Sequence, residues 1–422
     1  MLPGDAGWFR CDRSGRSEYI NIKSKRLKGQ CPFSYVTFSI AAQFEKMNTW
    51  LHDTIQSEDS FIVIWDLQIV GCLLSFALVT GCAQQQQETP AGLHEQALVF
   101  DAHAHSNLRL LKDKSDFGTR SEKGHIDLPR IREGGVDALV FAAWSNPKDG
   151  PDKGIQDVLR MADVLHQQLE KFPDRLELAL TATDIRRISA AGKTAAIFAV
   201  EGGHLIGNDA GILRMYYRLG MRIMTLVWTN NHEWADGCGS NTGKYGYYKQ
   251  FADHGGLSEK GRDIVREMNR LGIVIDVSHA AAATFDDVLA TSAHPVIASH
   301  SCADALRPHE RNLTDIQLRA LAESGGVVGV NFSPFYLALK DSVVTVRTIV
   351  DHIDHMVQVM GVNHVGLGSD FDAISTTPED LTDYADMPKI TEELVRRGYD
   401  SDAIEKILGG NLLRVFEIVT GS

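Results

Sequence analysis

The sequence predicts a (β/α)8 barrel of the TIM type over residues 98–420. The first observation is a series of eight short, β-rich apolar runs of the kind that form buried parallel strands. The second is that amphipathic helical stretches lie between most of these runs, which is typical of a sheet built from βαβ units. Eight such units are the number that closes a barrel. A doubly wound open sheet is the alternative, but no G-x-G-x-x-G follows the first run, so a dinucleotide site is not expected.

The predicted elements follow one another regularly along the chain. The eight runs are 97–100, 136–142, 195–200, 223–227, 273–277, 296–298, 327–330 and 365–367. The clearest helical stretches are 155–170, 257–271, 313–322, 345–360, 387–397 and 401–418. In the stretch 257–271, one apolar stripe is formed by Ile264, Val265, Met268 and Leu271. Ser258 and Gly272 are suited to begin and end the helix.

Composition excludes several classes of protein. The 422 residues carry a formal net charge of −13, and the chain has no basic block with interleaved aromatic residues, so a nucleic-acid partner is not expected. Six cysteines are too few for a disulfide scaffold, and only Cys238 and Cys302 lie within the predicted barrel. Neither belongs to a C-x-x-C pair, which excludes a cysteine-rich zinc site.

Residues 1–82 are predicted to be a leader rather than part of the fold. The apolar run 67–80 has about the length of a signal-peptide core, and Val79-Thr80-Gly81-Cys82 after it resembles a bacterial lipoprotein cleavage box. Residues 83–97 then form a polar tether, with Cys82 lipidated and the protein anchored in the cell envelope. A plain signal peptide or a chance hydrophobic stretch are the alternatives, because the residues just before the run are acidic.

Histidine and carboxylate residues recur where the predicted strands end, which is where TIM barrels collect their reactive groups. They are His103, His105, Glu201, His279, His300 and Asp370. His103 and His105 share one face of their strand because side chains alternate along it. Nitrogen and oxygen ligands without thiolates suit Zn²⁺, and less specifically Mn²⁺, Fe²⁺ or Co²⁺. Four histidines and a carboxylate exceed the needs of one tetrahedral ion, so the sequence predicts a bridged site for two metals.

The same residues lie in motifs that resemble those of the membrane (renal-type) dipeptidases, which are zinc hydrolases of the amidohydrolase superfamily with a (β/α)8 fold. The resemblance runs from about residue 99 to residue 416. Its most specific segments are 125–134 (HIDLPRIREG), 201–204 (EGGH), 256–258 (GLS), 276–279 (DVSH), 299–301 (SHS), 311–312 (RN), 331–332 (NF), 368–372 (GSDFD) and 410–416 (GNLLRVF). Each is weak alone, but their combination in this order is specific.

The resemblance implies a role for each matching residue. His103 and His105 would hold a first zinc ion, His279 and His300 a second, and Glu201 would bridge the two. Arg311 would bind the free carboxylate of the substrate through its planar fork, and Tyr336 would line the substrate site. Trp228 does not match the family residue at its position, and it either forms a wall of the substrate site or is a packing residue. A hydroxide bridging the ions would attack the amide, with Asp370 as the acid/base group. The resemblance also implies a homodimer and tolerance of a D-residue at the C-terminal side of a dipeptide.

Two positions depart from the family pattern. The family reads His-x-Asp where this chain has His103-x-His105, so the site gains positive charge. At Trp228 the family keeps a histidine that polarises the scissile carbonyl, and the nearby His232 could replace it only if its loop folds inward. Three hypotheses follow: a two-zinc dipeptidase, a metal hydrolase of the same fold acting on another small amide or ester such as an N-acyl amino acid, and a non-catalytic binding lipoprotein.

Overall fold

The computed structural model describes residues 9–11, 17–19, 89–241 and 254–421. The chain divides into two units, 1–86 and 87–422. In the first unit, β1 (Phe9–Cys11) pairs antiparallel with β2 (Ser17–Tyr19). The apolar run 67–80 and Cys82 lie outside the described residues. Among the helices that are described, none is long and apolar enough to cross a membrane.

Nine parallel strands form the sheet of the second unit. They are β3 (Val99–Ala104), β4 (Val136–Ala143), β5 (Leu176–Leu178), β6 (Thr194–Glu201), β7 (Met221–Thr225), β8 (Val274–Asp276), β9 (Ile297–Ser301), β10 (Val327–Val330) and β11 (Val365–Leu367). Their order is β4-β3-β11-β10-β9-β8-β7-β6-β5, and β4 also pairs with β6. That pairing closes β3, β4 and β6–β11 into an eight-stranded ring, which confirms the predicted TIM-type barrel. The additional strand, β5, pairs with the beginning of β6, where Leu176 lies opposite Thr194.

Helices follow most strands and cover the outside of the barrel. The α-helices are Pro90–Gln96, Ser106–Asp113, Leu128–Glu133, Pro151–Lys171, Ala182–Ala190, Ala210–Arg218, Glu259–Leu271, Ala282–Thr291, Asp315–Glu323, Pro334–Leu337, Val346–Met360, Pro388–Arg397, Ser401–Glu405 and Asn411–Thr420, with a π-helical turn at Lys406–Gly410. Ser258 accepts a hydrogen bond from the Gly261 amide, and Gly272 ends the same helix with φ of +78°, as predicted. The segment predicted as a polar tether, 83–97, contains the first of these helices.

The C-terminal helix Asn411–Thr420 closes the barrel at the end where its strands begin. The Phe416 ring meets the Phe100 ring of β3 edge-on, with centroids 6.4 Å apart. Leu412 and Phe416 line a small apolar cavity together with Val274 and Ile297, which are the first residues of β8 and β9. In TIM barrels, active sites lie at the opposite end, where the strands terminate, so packing at this end serves stability.

Candidate active site

Five predicted ligand residues meet where the strands end. His103 lies in β3 and His105 directly follows it, Glu201 is the last residue of β6, His300 lies in β9, and His279 follows β8 by three residues. All five side chains are buried. Their convergence follows from the closed barrel, which brings strands far apart in the sequence to one rim.

Glu201 belongs to two groups of converging ligand atoms. In the first group, His103 Nε2 and His105 Nε2 are 3.1 Å apart and lie 3.7 and 3.3 Å from the Glu201 carboxylate oxygens. In the second, His279 Nε2 and His300 Nε2 are 3.0 Å apart and lie 3.0 and 3.5 Å from Glu201 Oε1. Each group has the number and type of ligand atoms that could hold one metal ion.

The protonation of the cluster favours metal binding. Burial lowers the pKa of His103 to about 3 and of His279 to about 4, and it lowers the pKa of His300 well below its usual value. Burial alone would lower the pKa of His105 too, but the hydrogen bond and charge of Glu201 raise it. Three imidazoles are therefore neutral, and neutral imidazole is the form that binds metal ions. The residues fit a pair of divalent ions with nitrogen and oxygen ligands.

Ser299 fixes the tautomer of one histidine in each group. Its hydroxyl lies 2.6 Å from Asp276 Oδ2, to which it donates. The same oxygen lies 2.7 Å from His300 Nδ1 and 3.3 Å from His103 Nδ1. Because the hydroxyl proton is directed to Asp276, both Nδ1 atoms act as donors to Ser299, which leaves both Nε2 lone pairs facing the cluster.

A further buried carboxylate, Asp101, joins β3 to the segment that follows β11. It accepts hydrogen bonds from the Ser369 amide at 2.8 Å, from the Ser369 hydroxyl, and from the Tyr384 hydroxyl at 2.6 Å. The His103 amide also donates to it, at 3.2 Å. Asp101 therefore ties the strand that carries His103 to the segment that carries Asp370.

Asp370 faces the first histidine pair. Its Oδ1 lies 3.8 Å from His105 Nε2, and the buried Asn331 donates to its Oδ2 at 3.1 Å. Burial raises the pKa of Asp370 to about 6, which makes the group able to exchange a proton near neutral pH. Its backbone is left-handed, with φ of +60°, and that of His279 is also left-handed, with φ of +69°. Both backbones turn sharply after their strands.

Arg311 is a buried cation close to the cluster. Its Nη2 donates to the His300 carbonyl at 3.1 Å, its guanidinium lies 5.4 Å from the Tyr336 ring, and its Nε has no partner among the described residues. The ion pairs of the described chain include none that joins Arg311 to a carboxylate. Arg311 lines a cavity of about 520 Å³ together with His279 and Cys238. A buried guanidinium in a cavity of this kind is suited to an anionic ligand.

Trp228 and His232 occupy different surroundings. The Trp228 ring lies 6.0 Å from the His279 ring, at the edge of the cluster. His232 instead donates from Nε2 to the Leu226 carbonyl at 2.9 Å and packs edge-on against Trp234. His232 Nε2 is thus held by the backbone of its own loop.

The sequence predicts the residues of the cluster but not the groups that orient them. Asp101, Asp276, Ser299 and Asn331 are buried polar residues within two positions of a predicted ligand or inside a quoted motif, yet nothing in the sequence distinguishes them from turn residues. Trp144, whose ring lies 5.1 Å from the Trp228 ring, was also missed. The available signal is position alone, since each lies in a barrel strand or directly after one.

Comparison with known proteins gives a consistent result. The family model described as membrane dipeptidase (peptidase family M19) matches residues 87–421. The chain is 33% identical to dipeptidase tcpJ of Claviceps purpurea over 348 residues, which cover 81% of this chain and 78% of that one. It is 36% identical to dipeptidase aclJ of Aspergillus oryzae over 301 residues, covering 69% of each chain.

Two crystal structures are similar across nearly their whole length. One is a dipeptidase AC of family M19, 31% identical, with a TM-score of 0.71 over 77% of this chain and 99% of that one. The other is a metallopeptidase from Rhodobacter sphaeroides bound to a phosphinate mimic of the dipeptide L-Ala-D-Ala, 30% identical, with a TM-score of 0.70 over 76% and 99%.

Proposed function

The chain belongs to the membrane dipeptidase family, peptidase family M19, whose members are metallopeptidases, and on that premise we propose that it is a two-zinc dipeptidase. It hydrolyses the amide bond of small dipeptides, including those with a D-residue at the C-terminal side. The similar metallopeptidase from Rhodobacter sphaeroides, which binds a mimic of L-Ala-D-Ala, supports this stereochemistry.

The observation that carries the proposal is the position of Glu201 between two histidine pairs. Its Oε1 lies 3.0 Å from His279 Nε2 and its Oε2 lies 3.3 Å from His105 Nε2. We assign His103, His105 and Glu201 to one ion, and Glu201, His279 and His300 to the other. When bound, two such ions polarise an amide carbonyl and make hydroxide available at neutral pH.

The remaining residues bind the substrate and move protons. Arg311 binds the C-terminal carboxylate through its guanidinium, and this contact limits the substrate to a short peptide with a free C-terminus. Asp370 Oδ1 accepts a proton during attack on the amide and returns it to the leaving amine. Asn331 holds the other oxygen of Asp370 and so fixes the direction in which the carboxylate points. Tyr336 packs against the Arg311 guanidinium and borders the same part of the site.

The departure at Trp228 favours a second candidate, hydrolysis of another small amide such as an N-acyl amino acid. An indole has one N–H and more bulk than an imidazole, so Trp228 narrows the site beside His279 and replaces a histidine donor imperfectly. Trp228→His should then raise turnover of L,L-dipeptides. His232→Ala should leave turnover nearly unchanged, because His232 Nε2 is held by the Leu226 carbonyl.

The test is a metal analysis combined with a substrate screen. Purified protein should contain close to two divalent ions per chain, and it should hydrolyse L,L- and L,D-dipeptides in preference to N-acetyl amino acids. Chelation should abolish hydrolysis, and added zinc should restore it. Preference for N-acetyl amino acids would favour the second candidate, and bound metal without hydrolysis of any of these substrates would favour a binding protein.

We also propose that Cys82 carries a lipid that anchors the enzyme in the cell envelope, and that the enzyme is a homodimer. The first proposal rests on the cleavage box and the apolar run before it, and the second on the family resemblance. Wild-type protein should sediment with membranes, whereas Cys82→Ser should be released or keep its leader. Wild-type protein found wholly in the cytosol would contradict the anchor, and light scattering at monomer mass would contradict the dimer.

A further inference from the structure

Two tryptophans form a continuous aromatic surface beside the metal-ligand cluster. Trp144 directly follows β4, and Trp228 follows β7 by three residues. Their ring centroids are 5.1 Å apart with planes inclined by 55°, and the Trp228 ring lies 6.0 Å from that of His279. Because β6 lies between β4 and β7 in the barrel, this pair spans the end of the strand that carries Glu201.

The barrel places this surface opposite Arg311. In the ring of eight strands, β4 and β9 are four positions apart, so their ends lie on opposite sides of the rim. Trp144 follows β4, and Arg311 is held at the end of β9 by its hydrogen bond to the His300 carbonyl. A dipeptide with its carboxylate on Arg311 and its amide at Glu201 therefore directs its N-terminal residue toward Trp144.

The chemistry of the surface is that of an apolar wall. Both indoles are only partly exposed, and aromatic rings in such pairs bind other rings and large apolar groups through offset and edge contacts. Trp144 Nε1 is buried and has no partner among the described residues. An indole N–H in this condition normally has an acceptor, so a polar atom of a ligand or a water molecule is expected beside it.

From this geometry we propose that Trp144, together with Trp228, binds the side chain of the substrate's N-terminal residue. The preferred substrates are dipeptides with an aromatic or large aliphatic N-terminal residue. This inference rests on the proposed dipeptidase activity and specifies its substrate class. A pocket of this type discriminates between side chains of different size by about 10-fold or more.

The experiment compares two series of dipeptides with reversed residue order on the full-length, metal-loaded enzyme. One series varies the N-terminal residue (Phe-Ala, Leu-Ala, Gly-Ala), and the other varies the C-terminal residue (Ala-Phe, Ala-Leu, Ala-Gly). The wild type should show kcat/KM for Phe-Ala at least about 10-fold above that for Gly-Ala. Trp144→Ala should remove most of this ratio, mainly through KM, whereas the Ala-Phe to Ala-Gly ratio should change by less than about 3-fold.

A matched control uses Phe335→Ala, which removes an exposed ring on the Arg311 side of the site, where Phe335 packs against Tyr336 and His309. This variant should leave the ratio of kcat/KM for Phe-Ala to that for Gly-Ala unchanged.

If Trp144→Ala does not fold, Trp144→Phe provides the test, because its smaller ring should measurably lower the Phe-Ala to Gly-Ala ratio. An N-terminal ratio that both Trp144 variants leave at the wild-type value would overturn the inference while the dipeptidase activity stands. Failure of the wild type to hydrolyse any of the six dipeptides would overturn both.

Discussion

The two carboxylate oxygens of Asp370 have different surroundings. Oδ2 is held by Asn331, whereas Oδ1 faces His105 across 3.8 Å. Asp370→Asn keeps the shape of the side chain but removes its ability to take a proton. We expect kcat to fall by about 10²–10⁴ with the metal content unchanged, measured by steady-state kinetics and metal analysis of the same preparation. Near-normal turnover would assign the proton transfer to another group.

Ser299 gives a prediction about metal affinity. Ser299→Ala removes the oxygen that accepts from His300 Nδ1 at 2.7 Å and from His103 Nδ1 at 3.3 Å, so one histidine in each ligand group loses its orientation. Affinity for zinc should fall by about 10–100-fold, measured by competition with a chromophoric chelator. The control is Ser301→Ala, since the Ser301 hydroxyl is buried in the same strand without a partner among the described residues. Equal affinities of the two variants would contradict the role of Ser299.

These two residues show what the sequence could and could not predict at this scale. Asp370, like the histidines, is predictable because it follows a strand, and a closed barrel brings strand ends together. The role of Ser299 depends on an oxygen that lies between His300, its neighbour in the chain, and His103, which is 196 residues away. Such a three-centre contact depends on side-chain packing between strands, which no local pattern encodes.

At the scale of elements, an ion-pair network around Arg397 joins two helices, Val346–Met360 and Pro388–Arg397. Arg397 pairs with Asp351 and Asp354 of the helix Val346–Met360 at 2.7 and 2.6 Å, and with Glu393 of its own helix at 2.8 Å. Glu393 is almost fully buried and also pairs with Arg396. The hydrogen bonds from Arg396 and Arg397 lower the pKa of Glu393 to about 2.

This pKa predicts a pH-dependent contribution to stability. Because the folded-state pKa lies below the unfolded value, the stabilisation is complete above about pH 5 and is lost as the pH falls toward 2. We expect Glu393→Gln to lower the free energy of unfolding at pH 7 by about 1 kcal/mol, a reduced value because Arg396 is largely exposed to solvent. Urea titrations at pH 7 and pH 4 should show that the wild type and Glu393→Gln differ less in their free energy of unfolding at pH 4. Glu405→Gln, at an exposed glutamate, is the control, and a difference that does not vary with pH would contradict the assignment.

Elements are predictable where their apolar pattern is continuous. The sequence predicts all eight barrel strands, including the three-residue strands β8 and β11, but not β5, because Glu177 interrupts its apolar residues. The predicted single helix 401–418 is interrupted by the π-helical turn Lys406–Gly410. There Gly409 lies against β3, and a Cβ on it would lie 2.2 Å from the Leu98 carbonyl oxygen. This close approach is a tertiary contact, so helical periodicity gives no sign of it.

For the whole molecule, the ligand cluster joins segments that are distant in the chain. Residues 103, 201, 279 and 300 come from four separate βα units. Metal that binds only the folded chain stabilises it by mass action, by about 2.7 kcal/mol at a free concentration 100 times Kd. We therefore expect chelation to lower the melting temperature and zinc to restore it, measured by calorimetry. The variant His279→Ala/His300→Ala should bind about half the metal, and added zinc should raise its melting temperature less than that of the wild type. Full metal loading of this variant would contradict the ligand assignment.

The left-handed backbone at Asp370 has a consequence for laboratory evolution. For an L-residue this conformation costs on the order of 1 kcal/mol, a penalty that glycine does not carry. A library selected only for heat resistance should therefore enrich Asp370→Gly, which relieves the backbone and removes the carboxylate. Clones that carry Asp370→Gly should lose the acid/base group proposed above, so any screen that aims at a robust catalyst from this scaffold has to select for turnover in every round.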